Sequence, residues 1–93
     1  MALQFEWHER KAMVNQRKHS ISFEEAATIF DDPLSRTIVD VEHSFSGEER
    51  LVTIGTSIRG RLLVVIHLEN AAKIRLISAR PATARERKDY ESP

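Results

Sequence analysis

Two side chains, His67 and Glu69, are suited by type and spacing to acid–base chemistry. They stand two residues apart in a β-rich run, so both should leave one face of a sheet, about 7 Å apart at the backbone. An imidazole and a carboxylate so placed could flank one phosphate, one removing a proton and the other supplying it. We predict both as catalytic residues; the alternatives are a structural histidine at the rim of the core and a solvated glutamate at a strand end.

Arginines on or beside the neighbouring strands could supply the positive charge that a phosphate requires. A guanidinium group can hold two phosphate oxygens at once, which a lysine cannot do. Arg80, at a strand-to-helix junction, is predicted as a third catalytic residue. Arg59, Arg61 and Arg75 are predicted to bind phosphate, the alternative being surface charge or an ion pair with a nearby glutamate.

Three further side chains could contact a phosphate or an aromatic base. Lys18 and His19 close the first predicted helix in a basic tip, where His19 is either a general base or a favourable charge at a helix C-terminus. Tyr90, in the last predicted helix, either stacks on a base or covers the core with its ring. The histidines form no HxH or HExxH pattern and cysteine is absent, so we predict no metal site.

Charge is segregated along the chain although the net charge is zero. Residues 1–58 hold six Lys/Arg against ten Asp/Glu, whereas residues 59–88 hold eight against two. Such a basic segment could contact a phosphate backbone or an acidic partner, although many of these charges could simply be solvated. The chain should form one domain over residues 1–93, and no apolar run approaches the roughly 20 residues that span a bilayer, so we expect no membrane association.

Hydrophobic periodicity predicts the elements that position these side chains. Alternating residues indicate strands, three- and four-residue spacing indicates helices, and the pairs Ser22–Glu25 and Thr83–Glu86 match the capping box that begins a helix. The order β-α-α-β-β-β-β-α predicts an α+β fold, with two N-terminal helices packed on a mostly antiparallel sheet of four to five strands and a short C-terminal helix. The predicted elements are strands at 3–7, 37–41, 50–57, 61–69 and 73–79, and helices at 9–18, 22–32 and 84–91.

Three ordered stretches span nearly the whole chain and carry a family resemblance. They read FEWHERKAMVNQRKHSISFEEAATIFDDP, ERLVTIGTSIRGRLLVVIHLE and IRLISARPATARERKDYE, and the chain resembles the BrnT family of type II toxins. The resemblance implies a fold related to the RelE-type toxins and a cofactor-free, metal-independent ribonuclease that inhibits translation in the cytoplasm. It also implies a heteromeric complex with a BrnA-like antitoxin, which neutralises the toxin and connects it to DNA only indirectly.

The chain departs from the family pattern at two places. His8-Glu9 stands where the family often has Asp-Pro, and Ser20 stands where it often has glycine after Lys-His. If Ser20 keeps the positive φ that glycine adopts freely, the side chain costs on the order of 1 kcal/mol. Neither departure removes a group with obvious chemistry.

Two functions other than a ribonuclease remain open from the sequence. The first is an inactive module of the same fold that only pairs with an antitoxin or nucleic acid, which would keep the basic segment without needing an acid–base pair. The second, a DNA-binding domain in its own right, is disfavoured because Glu24 and Glu25 on the second helix would repel phosphate.

Overall fold

A five-stranded sheet forms the centre of the computed structural model, which describes residues 3–44 and 49–92. Two helices precede most of the sheet in the chain and a third follows it, as the sequence predicted. Two short 3-10 turns, Thr28–Asp31 and Val41–His43, complete the order. The elements are β1 (Gln4–Trp7), α1 (Glu9–His19), α2 (Phe23–Ala27), β2 (Arg36–Val39), β3 (Arg50–Thr56), β4 (Leu62–Asn70), β5 (Lys73–Pro81) and α3 (Ala84–Glu91).

The strands lie in the order β1-β5-β4-β3-β2. Strands β2 to β5 form an antiparallel meander, whereas β1 pairs in parallel with β5 and is the other edge strand of the sheet. The β4–β5 register shifts at His67, because Ile66 pairs with Ser78 while His67 pairs with Leu76. Ile77 is therefore the additional residue of a bulge beside His67.

Local signals at the helix ends are mostly confirmed. Ser20 has φ 57° and ψ 36°, the left-handed conformation expected where the family often has glycine. The capping box of Thr83 and Glu86 is complete, since each side chain accepts a hydrogen bond from the other residue's backbone N–H. At α2 the Ser22 hydroxyl accepts from the Glu25 N–H as predicted, but the reciprocal half is wrong because the Glu25 carboxylate is drawn towards Arg61.

Two predicted elements end at least two residues earlier in the structure. The second helix ends at Ala27 and tightens into the 3-10 turn, before Asp32 accepts the Leu34 N–H and Pro33 prevents any continuation. The strand predicted at 37–41 is Arg36–Val39 instead, because the chain enters a second 3-10 turn at Val41. Both differences lie at element ends, where local preference is weakest.

The core lies between one face of the sheet, called the inner face, and the helices α1 and α2. Its centre is fully buried. The Asn15 side chain joins α1 to β5 by accepting the Ala79 N–H at 2.9 Å, and it also donates to the Ile21 carbonyl at 3.1 Å. Helix α3 lies on the opposite, outer face. In the described residues no helix has the length and apolar character needed to cross a membrane. The buried core residues are Ile21, Phe23, Ala26, Ile29, Leu63, Val65, Ile74, Leu76 and Ala79.

Candidate phosphate-binding site

The turn between β3 and β4 and the C-terminus of α1 meet at one end of the molecule. Arg61 at the start of β4 donates through Nη2 to the Ser20 carbonyl at 3.1 Å, directly after the basic tip of α1. The prediction placed Arg59 and Arg61 apart from Lys18 and His19; the fold brings the two pairs to the same end of the sheet. These four residues, Lys18, His19, Arg59 and Arg61, are called the basic end below.

A buried carboxylate, Glu25, organises the basic end. Its side chain is 5% exposed and accepts hydrogen bonds from the Ser57 hydroxyl at 2.7 Å and from Arg61 Nε at 2.9 Å. Arg61 Nη2 also donates to Glu25 Oε1, so the two groups pair through both oxygens. The hydrogen bonds from Arg61 outweigh the opposing effect of burial and lower the pKa of Glu25, so this carboxylate is ionised at neutral pH.

Arg59 differs from Arg61 because its charge is still available. Its side chain is 71% exposed and its Nη1 lies 3.9 Å from Glu25 Oε1, near enough for attraction but beyond a hydrogen bond. One buried glutamate therefore faces two arginines, and Lys18, two residues before the Ser20 carbonyl that Arg61 binds, adds an exposed charge at this end of the molecule. This arrangement leaves a net positive surface with Arg61 held in place and Arg59 able to reach a ligand.

The spacing of His67 and Glu69 suggested an accessible acid–base pair, but His67 is buried in the structure. The two side chains share a face as predicted, with His67 Nδ1 3.9 Å from Glu69 Oε1. However, His67 has no exposed surface, its Nε2 lies 2.7 Å from the Thr53 hydroxyl, and its ring packs edge-on against Phe30 with centroids 5.0 Å apart. Burial lowers the pKa of His67 to about 4, and Nδ1 has no hydrogen-bond partner among the described residues.

Arg80 does not join His67 and Glu69. It pairs with Val64 on the outer face, and Val64 is about 17 Å along β4 from Glu69 at roughly 3.4 Å per residue. Its Nη1 and Nη2 donate to the two carboxylate oxygens of Glu86 at 2.8 and 2.9 Å. The hydrogen bonds from Arg80 lower the pKa of Glu86 to about 2, so the two charges neutralise each other.

The remaining predicted residues also have partners within the chain. Arg75 Nε donates to Glu6 on β1 at 3.1 Å, on the outer face and away from the basic end. Tyr90 donates its hydroxyl to Asp32, which also accepts the Thr56 N–H at 2.8 Å. Burial and the bond to Asp32 both raise the pKa of Tyr90. Tyr90 thus attaches α3 to the rest of the fold.

Sequence reasoning missed Glu25 as a member of the site. We assigned its carboxylate to a capping box, and its true partner, Arg61, lies 36 residues away. A signal was present, since Glu25 stands four residues before the buried Ile29 in the predicted helix 22–32 and so shares its face. Across residues 3–44 and 49–92, no three His, Asp or Glu side chains are grouped to hold a metal ion.

Comparison with known proteins identifies the class. The model for the ribonuclease toxins of type II toxin–antitoxin systems called BrnT matches residues 7–86. The chain therefore belongs to the BrnT family, as its resemblance indicated, and membership of a type II system implies an antitoxin partner.

The fold agrees with this assignment. The 1.1 Å crystal structure of the Brucella abortus ribonuclease toxin BrnT superposes with a TM-score of 0.66 and 20% identity, covering 88% of this chain and 99% of that chain. At this identity the match shows a shared mixed α+β fold. No protein with a curated description matches the sequence.

Proposed function

We propose that this chain is an active, metal-independent endoribonuclease that inhibits translation in the cytoplasm, and that the basic end binds the RNA phosphate. The observation that carries the proposal is the pair Arg59 and Arg61 on the buried Glu25, beside Lys18 and His19. The accessible Arg59 can stabilise the extra negative charge of a phosphorane-like transition state, while Arg61, paired with Glu25, holds this end of the fold in place.

The chemistry needs no metal. The ribose 2′-oxygen attacks the adjacent phosphorus while a base removes its proton, and the bond to the 5′-oxygen breaks as an acid protonates that oxygen. The products are a 2′,3′-cyclic phosphate and a 5′-hydroxyl. His19, half-buried and adjacent in the chain to Ser20, whose carbonyl accepts from Arg61, is our candidate for one of these proton transfers.

The predicted group His67, Glu69 and Arg80 remains an alternative site. Glu69 is half-exposed and accessible, but His67 would need local opening before it could touch RNA, and Arg80 would need to leave Glu86. Arg75 and Tyr90 would likewise have to exchange their partners within the chain for RNA. At the basic end Arg61 is likewise paired with Glu25, but Arg59 is 71% exposed and requires no such rearrangement, and for this reason we favour this end.

The family also suggests the regulation of this activity. We propose that a BrnA-like antitoxin forms a heteromeric complex with the chain, and that DNA is reached only through the antitoxin. We further propose that the fold is related to that of the RelE-type toxins.

A second candidate function is an inactive module that only binds an antitoxin or nucleic acid. The observation in its favour is that two of the three residues predicted as catalytic are unavailable in the structure, since His67 is buried and Arg80 is paired with Glu86. This module would bind RNA through the basic end but would not cleave it.

An RNA cleavage assay separates the two functions. The purified chain, free of antitoxin, is incubated with total bacterial RNA and with ribosomes in EDTA, which removes contaminating metal-dependent nucleases. We expect the wild type to cut RNA, and Arg59→Ala and His19→Ala to reduce the rate at least tenfold while remaining folded. Arg75→Ala is the matched control, because it removes an exposed arginine on another part of the surface.

The variants Glu69→Ala and Arg80→Ala test the alternative site in the same assay. Loss of cleavage in these two, with Arg59→Ala unaffected, would favour the alternative residues His67, Glu69 and Arg80 over the basic end. If the wild type leaves both free and ribosome-bound RNA intact, the enzyme proposal fails and the binding module replaces it.

A further inference from the structure

Strand β2 is a free edge of the sheet and has exposed apolar side chains. Of the eight large apolar residues exposed in the described part of the chain, four lie in or beside β2: Leu34, Ile38, Val39 and Val41. Ile38 is 67% exposed. An apolar edge of this kind is a template for another strand, and proteins usually block it with lysine, proline or a bulge, none of which occurs in β2.

The hydrogen-bond pattern shows which backbone groups of β2 are directed outwards. The Asp40 N–H donates to the Arg50 carbonyl at 2.7 Å, which extends the ladder between β2 and β3. In an antiparallel pair the bonded positions recur at every second residue, so Ile38 and Arg36 also bond towards β3. The N–H and C=O groups of Thr37 and Val39 therefore point away from the sheet.

These outward groups define a register for a second copy of the same strand. If two β2 strands pair antiparallel around a two-fold axis at Ile38, Thr37 of each faces Val39 of the other, and all four outward residues form backbone hydrogen bonds. The same register places Ile38 opposite its own copy. It also places Arg36 opposite Asp40, twice, on one face of the sheet.

We infer that two copies of this chain associate through β2 in this register and form one continuous sheet. The backbone pattern and the side-chain charges select the same alignment independently, since a shift by two residues in either direction would leave outward groups unpaired and separate Arg36 from Asp40. The register also covers the exposed Ile38 of each copy. This inference does not depend on ribonuclease activity.

Among residues 3–44 and 49–92, the inner face of the sheet at this edge leaves room for the second copy. Helices α1 and α2 pack on β5, on the far side of the sheet from β2, and the exposed Thr37 and Val39 show that the inner face at this edge is uncovered. Arg36 donates to the carbonyls of Asp89 and Ser92 at the end of α3, through Nη1 and Nη2 respectively. Its guanidinium has further N–H groups, and Asp40 of the second copy, whose Oδ2 lies 2.9 Å from His43 Nδ1, can accept them through Oδ1.

Sedimentation velocity over a roughly hundredfold range of concentration tests the inference. Two four-residue strands form a small interface, so we expect a dimer that appears only at the higher concentrations. The purified chain is used without antitoxin. Arg36→Asp alone and Asp40→Arg alone place like charges opposite each other and should each shift the equilibrium to monomer by at least tenfold.

The double variant Arg36→Asp, Asp40→Arg restores opposite charges in the proposed register and should recover the dimer. Lys11→Asp, a charge reversal on the exposed face of α1, is the matched control and should leave association unchanged. Thermal unfolding checks that each variant is folded. Because Arg36 also contacts α3, Val39→Pro provides a second test: it removes an outward N–H without touching a bond between β2 and β3.

Three results would overturn the inference. These are a wild type that is monomeric at every concentration, a dimer that persists in Val39→Pro, and a folded double variant that fails to recover association. If the wild type is monomeric and added antitoxin protects the amides of Thr37 and Val39 from hydrogen exchange, the edge belongs to the antitoxin instead.

Discussion

His67 shows how burial changes the chemistry of one residue. The ring packs edge-on against Phe30 and, among the described residues, has its only hydrogen bond to Thr53, so a positive charge there would have little stabilisation. Its pKa, lowered to about 4 from an ordinary 6.5, means that the folded protein holds a neutral imidazole at physiological pH. The residue is then a pH-dependent element of stability.

We predict that the free energy of unfolding falls by about 2 kcal/mol from pH 7 to pH 5 because of His67. Above pH 6.5 the imidazole is neutral in both states, and as the pH falls towards 4 the unfolded chain takes up a proton that the folded chain does not. Urea denaturation at several pH values measures this slope. His67→Gln should flatten it, whereas the exposed His8→Gln should not; an unchanged slope in His67→Gln would refute the assignment.

Glu25 is the second residue whose environment decides its role. We predict that Glu25→Gln lowers the free energy of unfolding at pH 7 by about 2 kcal/mol, because the amide cannot replace an ionised acceptor of three hydrogen bonds. The pKa of Glu25 is lowered, so its stabilisation is complete above the ordinary value of 4.5 and is lost as the pH falls below it. The difference between variant and wild type should therefore shrink below pH 4.5, and a constant difference would contradict this account.

At the scale of elements, the left-handed backbone conformation of Ser20 at the end of α1 costs free energy. Ser20 adopts φ 57°, where a side chain crowds the backbone and glycine does not. The turn is required because it directs the chain from α1 into α2 and presents the Ser20 carbonyl to Arg61.

We predict that Ser20→Gly raises the free energy of unfolding by up to about 1 kcal/mol, the strain removed exceeding the added freedom of the unfolded chain. Thermal or urea unfolding measures the gain. Ser20→Ala is the control, since it keeps the Cβ atom and should give no gain. Equal stability of the glycine and alanine variants would show that φ is not the source of the cost.

Helix α3 is attached mainly by polar contacts. Tyr90 bonds to Asp32, Arg36 bonds to the carbonyls at its C-terminus, and Arg80 holds Glu86 in its first turn. None of its residues is fully buried. An element held in this way should open more readily than the core strands do.

We predict that Tyr90→Phe speeds hydrogen exchange in residues 84–91 about fivefold to tenfold, because the loss of one hydrogen bond to a carboxylate costs about 1 kcal/mol. The phenyl ring is retained, so packing changes little. Exchange in β4 serves as the internal reference and should be unaffected. If α3 exchanges at the same rate in both proteins, the bond to Asp32 does not hold the helix.

At the scale of the whole molecule, the distribution of charge separates two surfaces. The basic end carries excess positive charge, whereas the edge at β2 combines apolar residues with Arg36 and Asp40. RNA binding at the first surface should respond to salt, and self-association at the second should respond to concentration.

We predict that the affinity for single-stranded RNA falls as the salt concentration rises. The slope of log affinity against log salt concentration should decrease in magnitude by about 0.7 for each cationic contact that is removed. Arg59→Ala should produce one such decrease in a binding titration. Arg75→Ala, which removes an arginine already paired with Glu6, should leave the slope unchanged. The opposite pattern would place the RNA on the outer face beside β1.

Much of the fold could be predicted from the sequence because its signals are local. The positive φ of Ser20, the capping box of Thr83 and Glu86 and the alternation in the strands depend on residues only a few positions apart. The antiparallel order of β3, β4 and β5 followed from their short connections. The parallel position of β1 did not, because its pairing with β5 joins residues about 70 positions apart.

Less of the candidate site could be predicted from the sequence. Residue types and spacing identified Arg59, Arg61, Lys18 and His19 separately, and the sequence by itself determined which segments are basic and which are helix or strand. Only the tertiary structure decided that Glu25 joins Arg61, that Arg80 joins Glu86 and that His67 is buried. The physical reason is that helix caps and alternation arise from neighbouring residues, whereas the partner and the burial of a side chain arise from packing between distant segments.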